Sequence, residues 1–291
     1  MAKIMVTGAT GLLGRALMNT LKSSHHVIGT GFSRAKPPLI SLDLCDKQQI
    51  EQLLNQEKPD VVVHAAAERR PDKCEFDQHQ TLALNVDVSR QLASLCTSLG
   101  IRLFFISTDY VFDGTSPPYL ESAATAPLNF YGQSKAAAEQ AILSVSSNHT
   151  IIRVPVLYGE VEYLAESAVT VIAKQLIENK ATKHDHWAIR FPTHVEDIAL
   201  TIKDLIALPV AKSSGIFHIS GNQSMTKFDI ACLIAEHLGI NTKTFEAQLE
   251  PDQSAPRPHN CALKDTKLNE LGINHQRDFA QAIVQVISPH L

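Results

Sequence analysis

The apolar positions at the start of the chain change period within twenty residues. Ile4, Met5 and Val6 form a short unbroken run, after which Leu13, Leu17 and Leu21 recur at helical spacing. That change predicts a strand, a tight turn and a helix. The alternation then repeats, with residues 26–32, 60–64, 102–107 and 150–154 reading as strands and 47–56, 78–99 and 129–145 as the helices between them. Near-continuous apolar strands separated by helices imply a parallel sheet buried on both faces. The predicted fold class is therefore α/β, a doubly wound Rossmann sheet. From about residue 158 the rhythm loosens into a helix over 195–207, a strand over 215–219, a helix over 227–238 and a proline-rich surface loop over 250–258. The predicted organisation is a dinucleotide-binding unit over 1–157 and a small C-terminal α/β substrate-binding lobe over 158–291, with segments of the latter returning to the main sheet.

Three glycines at a spacing of three occupy the first turn. Gly8 permits the turn, Gly11 lets backbone N–H groups approach a diphosphate, and Gly14 lets helix and strand pack closely. An ordinary tight βα turn could also hold three glycines, but this turn follows a strand and opens a helix, the context a dinucleotide site requires. The residues after the second strand indicate which dinucleotide. An acidic side chain there would grip a ribose 2′-hydroxyl, whereas this chain has Phe32-Ser33-Arg34 and no carboxylate before Asp43. A guanidinium matches a 2′-phosphate in shape and charge, pointing to NADP(H), the alternative being a solvated surface arginine. Asp43 and Leu44 are placed beside the adenine. Ala65, Ala66 and Ala67 offer small side chains where the backbone meets the cofactor.

Composition narrows the partners. The 291 residues, 44% hydrophobic and 19% charged, can bury a sizeable core, and a net charge of -4 gives no electrostatic footprint for nucleic acid or an anionic membrane. Five cysteines without a C-x-x-C pair read as reduced thiols. No apolar run reaches the roughly 18 residues of a membrane span, and the first one is too short for a signal peptide, so the expected location is cytoplasmic.

The candidate chemistry lies between Ser107 and Lys135. Tyr131 and Lys135, four apart, share one helical face, and Thr108 ends the fourth strand. Lowering a phenol from a pKa near 10 to about 7 takes roughly 4 kcal/mol. One ammonium about 4 Å away supplies about that much at an effective dielectric near 20. Thr108 is expected to hydrogen-bond a substrate oxygen, Tyr131 to give or take the proton, and Lys135 to lower the Tyr131 pKa and hold the nicotinamide ribose.

With these residues in place, the chain resembles the extended short-chain dehydrogenases/reductases. Residues 107–114 (Ser-Thr-Asp-Tyr-Val-Phe-Asp-Gly), residues 126–132 (Ala-Pro-Leu-Asn-Phe-Tyr-Gly) and Pro192-Thr193 are similar to the dTDP-4-dehydrorhamnose reductases. Residues 66–72, 157–162, 166–171, 185–187 and 190–195 are similar to a second branch of the group, the NADP-binding regulatory β subunits of methionine adenosyltransferase. The first likeness implies reduction of a 4-keto group on a nucleotide-activated deoxysugar, as in dTDP-L-rhamnose formation. The second implies an NADP-loaded partner of a methionine adenosyltransferase catalytic subunit with little or no reductase activity. The resemblance also implies a homodimer and adds Thr10, Leu12, Leu13, Asn85 and Val154 to the cofactor contacts. Toward substrate it implies Arg69, Arg70, Asp109, Tyr110 and Phe191. The sugar-nucleotide reductases usually carry small or hydroxyl residues where this chain has Glu68-Arg69-Arg70. The two arginines either bind an anionic substrate or reshape the pocket to exclude a sugar nucleotide.

The remaining chemistry-bearing residues read blandly. His184-Asp185-His186 reads as a surface turn and no metal site is expected. Trp187 reads as packing or an interface anchor, and Cys74, in acidic surroundings, as an unreactive thiol.

Overall fold

A computed structural model describes residues 1–178, 183–251 and 255–291, so positions 252–254 of the predicted loop lie outside the described residues. The chain begins with β1 (Lys3–Thr7), α1 (Leu12–Leu21), β2 (His26–Gly31), β3 (Ile40–Ser41), α2 (Lys47–Glu57) and β4 (Val61–His64). It continues through α3 (Pro71–Phe76), α4 (Gln78–Leu82), α5 (Val88–Ser98), β5 (Arg102–Thr108), α6 (Phe130–Val145) and β6 (Thr150–Val154). The second half contains β7 (Leu157–Tyr158), α7 (Thr170–Ile177), β8 (Lys183–Asp185), β9 (Thr193–His194), α8 (Val195–Ala207), α9 (Val210–Ser213) and β10 (Gly215–His218). It ends with α10 (Lys227–Leu238), β11 (Glu246–Gln248), α11 (Thr266–Leu271) and α12 (Phe279–Ile287).

Seven strands form one sheet in the order β3-β2-β1-β4-β5-β6-β10, every pair parallel. The order reverses between β1 and β4, where an open α/β sheet places a ligand crevice at its carboxyl edge. Period-two alternation divides the strand side chains between two cores. Ile4, Val6, Val61, Val63, Phe104 and Ile152 face α1 and α8, while Met5, Val62, Leu103, Phe105 and Ile151 face α2, α5 and α6. The sheet is thus covered on both sides, as the apolar strands predict.

β10 takes the edge beside β6, and α8 packs along α1, so the second half contributes both a strand and a helix to the main layers. A third core of Tyr158, Ile172, Ile230, Phe279 and Ile283 joins α7, α10 and α12. α11 and α12 lie where the sequence reading assigns no element. The helix predicted over 78–99 is interrupted by a π turn, Ala83–Asp87, whose extra residue shifts the helical face at Asn85.

Candidate functional site

The glycine turn lies at the β1/β4 switch point. Gly8 has φ 72°, and a Cβ there would lie 2.9 Å from the Ala66 nitrogen, so the turn presses directly on the backbone just after β4. Gly11 is the N-cap of α1 and has no side chain to satisfy the first N–H groups of that helix. Those groups therefore point outward, and together with the positive end of the helix they suit an anion. The bare turn fits a diphosphate. Thr10 and Leu12 are half-buried beside it. Leu13 and Val154 are buried, in the core shared with α1 and α8. Phe32, Ser33 and Arg34 follow β2 on the exposed rim, and Asp43 and Leu44 follow β3. The Asp43 carboxylate accepts from the Cys45 N–H at 2.8 Å.

Thr108 ends β5 and is buried, while Tyr131 and Lys135 rise from the first turns of α6. Three contacts set the start of that helix. Asn129 caps the Gly132 N–H at 2.9 Å, its amide donates to the Pro256 carbonyl at 2.7 Å, and Glu75 accepts from the Phe130 N–H at 2.7 Å. Deeper in the protein, Glu139 accepts from Arg153 of β6 at 2.6 Å and from the Ser107 hydroxyl of β5, which fixes the helix against both strands. Lys135 Nζ lies 3.8 Å from the centre of the Phe105 ring. Burial lowers Lys135 to about 7, with Glu139 opposing.

The expected lowering of the Tyr131 phenol is opposed by its burial. Burial pushes the Tyr131 phenol up rather than down, with the neighbouring Thr108 hydroxyl working the other way. Desolvation of a phenolate is the dominant influence. Asp109 is buried beside Thr108 and is raised to about 6 by that burial, against the pull of Arg190. The Tyr110 ring meets Tyr131 edge-on, with centroids 6.1 Å apart.

Sequence reasoning missed Arg190 and Arg257. Arg190, buried, stands 5.9 Å from the centre of the Tyr110 ring, and the charges of both arginines act on the Tyr110 phenol. Arg190 lies within the 190–195 string, but nothing local assigns either arginine to the corner, because they enter it from segments 80 and 147 positions beyond Tyr110. Phe191, the neighbour singled out by the resemblance, is half-buried.

Three of the predicted contacts have protein partners of their own. The Asn85 amide donates to the Glu68 carbonyl and to Ser134 Oγ, both at 3.0 Å, while its oxygen accepts from the Glu68 N–H at 2.9 Å; it braces the crevice wall against α6. Arg70 is exposed and paired with Glu68 at 2.8 Å, and Lys73 lies 2.9 Å from the same carboxylate. Burial is the largest single influence and raises the Glu68 pKa, but these contacts, with an N–H bond from Arg70, together outweigh it and hold the carboxylate down to about 2. Arg69 donates to the Glu166 carbonyl at 2.9 Å.

His184 is not in a surface turn. It lies buried in β8 against the Phe245 ring, because β8 pairs with β11 rather than looping into solvent. His186 bonds Thr226 Oγ1 at 2.8 Å, and the Trp187 ring packs against His259. Cys74 is buried, and burial is the main cause that raises its thiol pKa, ahead of the acidic neighbours. Among the described residues no helix is long and apolar enough to cross a membrane.

This turn, crevice and hydroxyl-phenol-amine corner define an extended short-chain dehydrogenase/reductase architecture, and the chain belongs to the RmlD substrate binding domain family, which it matches over residues 2–291. Among its relatives, methionine adenosyltransferase 2 subunit beta of Mus musculus is 42% identical over 294 residues, covering 99% of this chain and 88% of that protein. The dTDP-4-keto-6-deoxy-D-glucose reductase of Streptomyces niveus is 32% identical over 288 residues, covering 97% and 95%. The crystal structure of dTDP-4-dehydrorhamnose reductase from Bacillus anthracis in complex with NADP superposes with a TM-score of 0.84 at 25% identity, over 98% of this chain and 97% of that one.

Proposed function

We propose that this protein is an NADP(H)-dependent reductase of the dTDP-4-dehydrorhamnose reductase type, acting on the 4-keto group of a nucleotide-activated deoxysugar. What supports the reading is the Thr108 hydroxyl at the end of β5 in hydrogen-bond contact with the Tyr131 phenol, with the buried amine of Lys135 one turn further along α6. Gly8, Thr10, Gly11 and the first N–H groups of α1 would hold the diphosphate, and Arg34 the 2′-phosphate. NADPH, when bound, supplies the hydride. The protein's own task is the proton. As charge develops on the carbonyl oxygen, Thr108 donates a hydrogen bond to it and Tyr131 delivers its phenolic proton. The burial that raises the phenol keeps it in the donor form at neutral pH. Lys135 holds the nicotinamide ribose, and Arg190 presents positive charge to an anionic substrate, while Arg257 is paired with Asp72 at 3.1 Å.

The test follows NADPH consumption by the purified protein across a panel of dTDP-4-keto-deoxysugars. Tyr131→Phe should lower kcat by roughly 10²–10⁴-fold with a much smaller effect on NADPH affinity. NADPH binding without turnover on any of these sugars overturns the reductase reading.

A second reading, an NADP-binding regulatory subunit of methionine adenosyltransferase, is favoured by one observation. Bulky Arg69 and Arg70, with Glu68 pairing the second, stand at the crevice rim where the sugar reductases carry small residues. The 42% identity to the subunit beta protein supports it. Mixing with the catalytic subunit from the same cell should then give a complex on gel filtration and altered synthetase kinetics. Absence of both would remove this reading.

A further inference from the structure

The segment that follows β7 runs back over the glycine turn and is held there by charge. Glu166, buried, takes Arg15 Nη1 and Nη2 at 2.8 and 2.7 Å. Its Oε2 also accepts from the Glu162 N–H at 2.9 Å, which curls the segment upon itself. Arg15, in the first turn of α1, donates in addition to the carbonyls of Thr10 at 3.1 Å and Glu160 at 3.2 Å. On the other side Arg69 holds the Glu166 carbonyl. The strap over 160–166 is thus tied to both walls of the proposed diphosphate site. Its outer carboxylate, Glu162 Oε2, lies 3.7 Å from Arg15 and 3.5 Å from Arg34.

Arg34 is the group placed to read the ribose 2′-position, and it already has an anion beside it. We infer that Glu162 sets the preference between NADP(H) and NAD(H) by competing with the 2′-phosphate for Arg34. A 2′-phosphate carries like charge to Glu162 and must displace it from the guanidinium. A 2′-hydroxyl carries no charge and can donate to the same carboxylate, so Glu162 stays. Selectivity then belongs to the Arg34–Glu162 pair and not to the arginine alone. The inference rests on the dinucleotide-binding reading of the site. It adds a residue that lies 128 positions from Arg34 in sequence and on a different wall of the crevice.

Dissociation constants for NADPH and NADH, measured by fluorescence titration on the wild type, Glu162→Gln, Arg34→Ala and the double variant, test it. Both groups of the pair are about half exposed, so the expected change is modest. Glu162→Gln should tighten NADPH by about three- to fivefold while leaving NADH unchanged or weaker. That gain should vanish in the Arg34→Ala background. Equal shifts for both nucleotides, no shift for either, or a gain that survives loss of Arg34 overturns the role of Glu162 alone. If the wild type binds neither nucleotide, the dinucleotide reading falls and this inference with it.

Discussion

A methyl group on Gly14 would lie 2.1 Å from the Gly8 carbonyl oxygen and 2.8 Å from Ala9 Cα, both main-chain atoms that cannot rotate aside. Gly14→Ala must therefore push α1 off β1, at a cost of about 1–3 kcal/mol from overpacking. Nucleotide affinity should fall with it, because the displaced helix carries the N–H groups of the turn. Thermal melting and NADPH titration of the same variant check both. At this scale much of the site is legible, since glycine spacing, the Tyr131-Lys135 interval and Thr108 at a strand end all follow from local chemistry. The direction in which Tyr131 is shifted is not. An interval of four states that two side chains share a face, but how dry that face is depends on Phe105, Glu139 and the residues packed around them. Arg15 with Glu166, and Arg34 with Glu162, are equally hidden, because each pair joins residues more than 120 positions apart.

Helix α6 is the element on which the proposed chemistry depends, and its depth in the protein is set by one buried ion pair. Glu139 and Arg153 are each almost fully enclosed, and the carboxylate takes two guanidinium nitrogens and the Ser107 hydroxyl. Glu139→Ala leaves Arg153 charged and unpaired in the interior, which should cost about 3–5 kcal/mol in chemical denaturation. Glu139→Gln keeps an acceptor for Arg153 and Ser107 and should cost less. The limits of α8 and α10 match their periodic stretches, and α6 begins one residue after its cap, Asn129. The π turn at Asn85 escapes a periodicity argument because one extra residue in a long helix leaves the apolar pattern nearly intact. α12 shows an apolar stripe at Phe279, Ile283, Val286 and Ile287, but its partners on α7 and α10 are visible only in the fold.

At the scale of the whole molecule, buried histidines make the fold acid-sensitive. Burial lowers His64 to about 3 and His194 to about 4, and it also lowers His149 and His218. Each binds a proton more readily unfolded than folded. Their stabilising contribution is complete above the unfolded value near 6.5 and is lost as pH falls toward the folded values. Asp109, raised to about 6, acts in the opposite sense below that value, and Asp197 and Asp265, also raised by burial, act with it. The melting temperature should already decline from pH 8 toward 7, the lower end of the window set by the lowered Lys135, and fall further between about 6.5 and 4, a loss on the order of a few kcal/mol. Thermal scans across that range check it.

The packing of α8 along α1 also bears on how the protein is made. Leu13, Leu17 and Leu21 leave the ribosome early, yet Ile198, Ile202 and Leu205, which cover them, follow some 180 residues later. At about 5–20 residues per second that is a wait of roughly ten to forty seconds with an oily helix face uncovered. The nascent first half is a natural client for chaperones until α8 arrives.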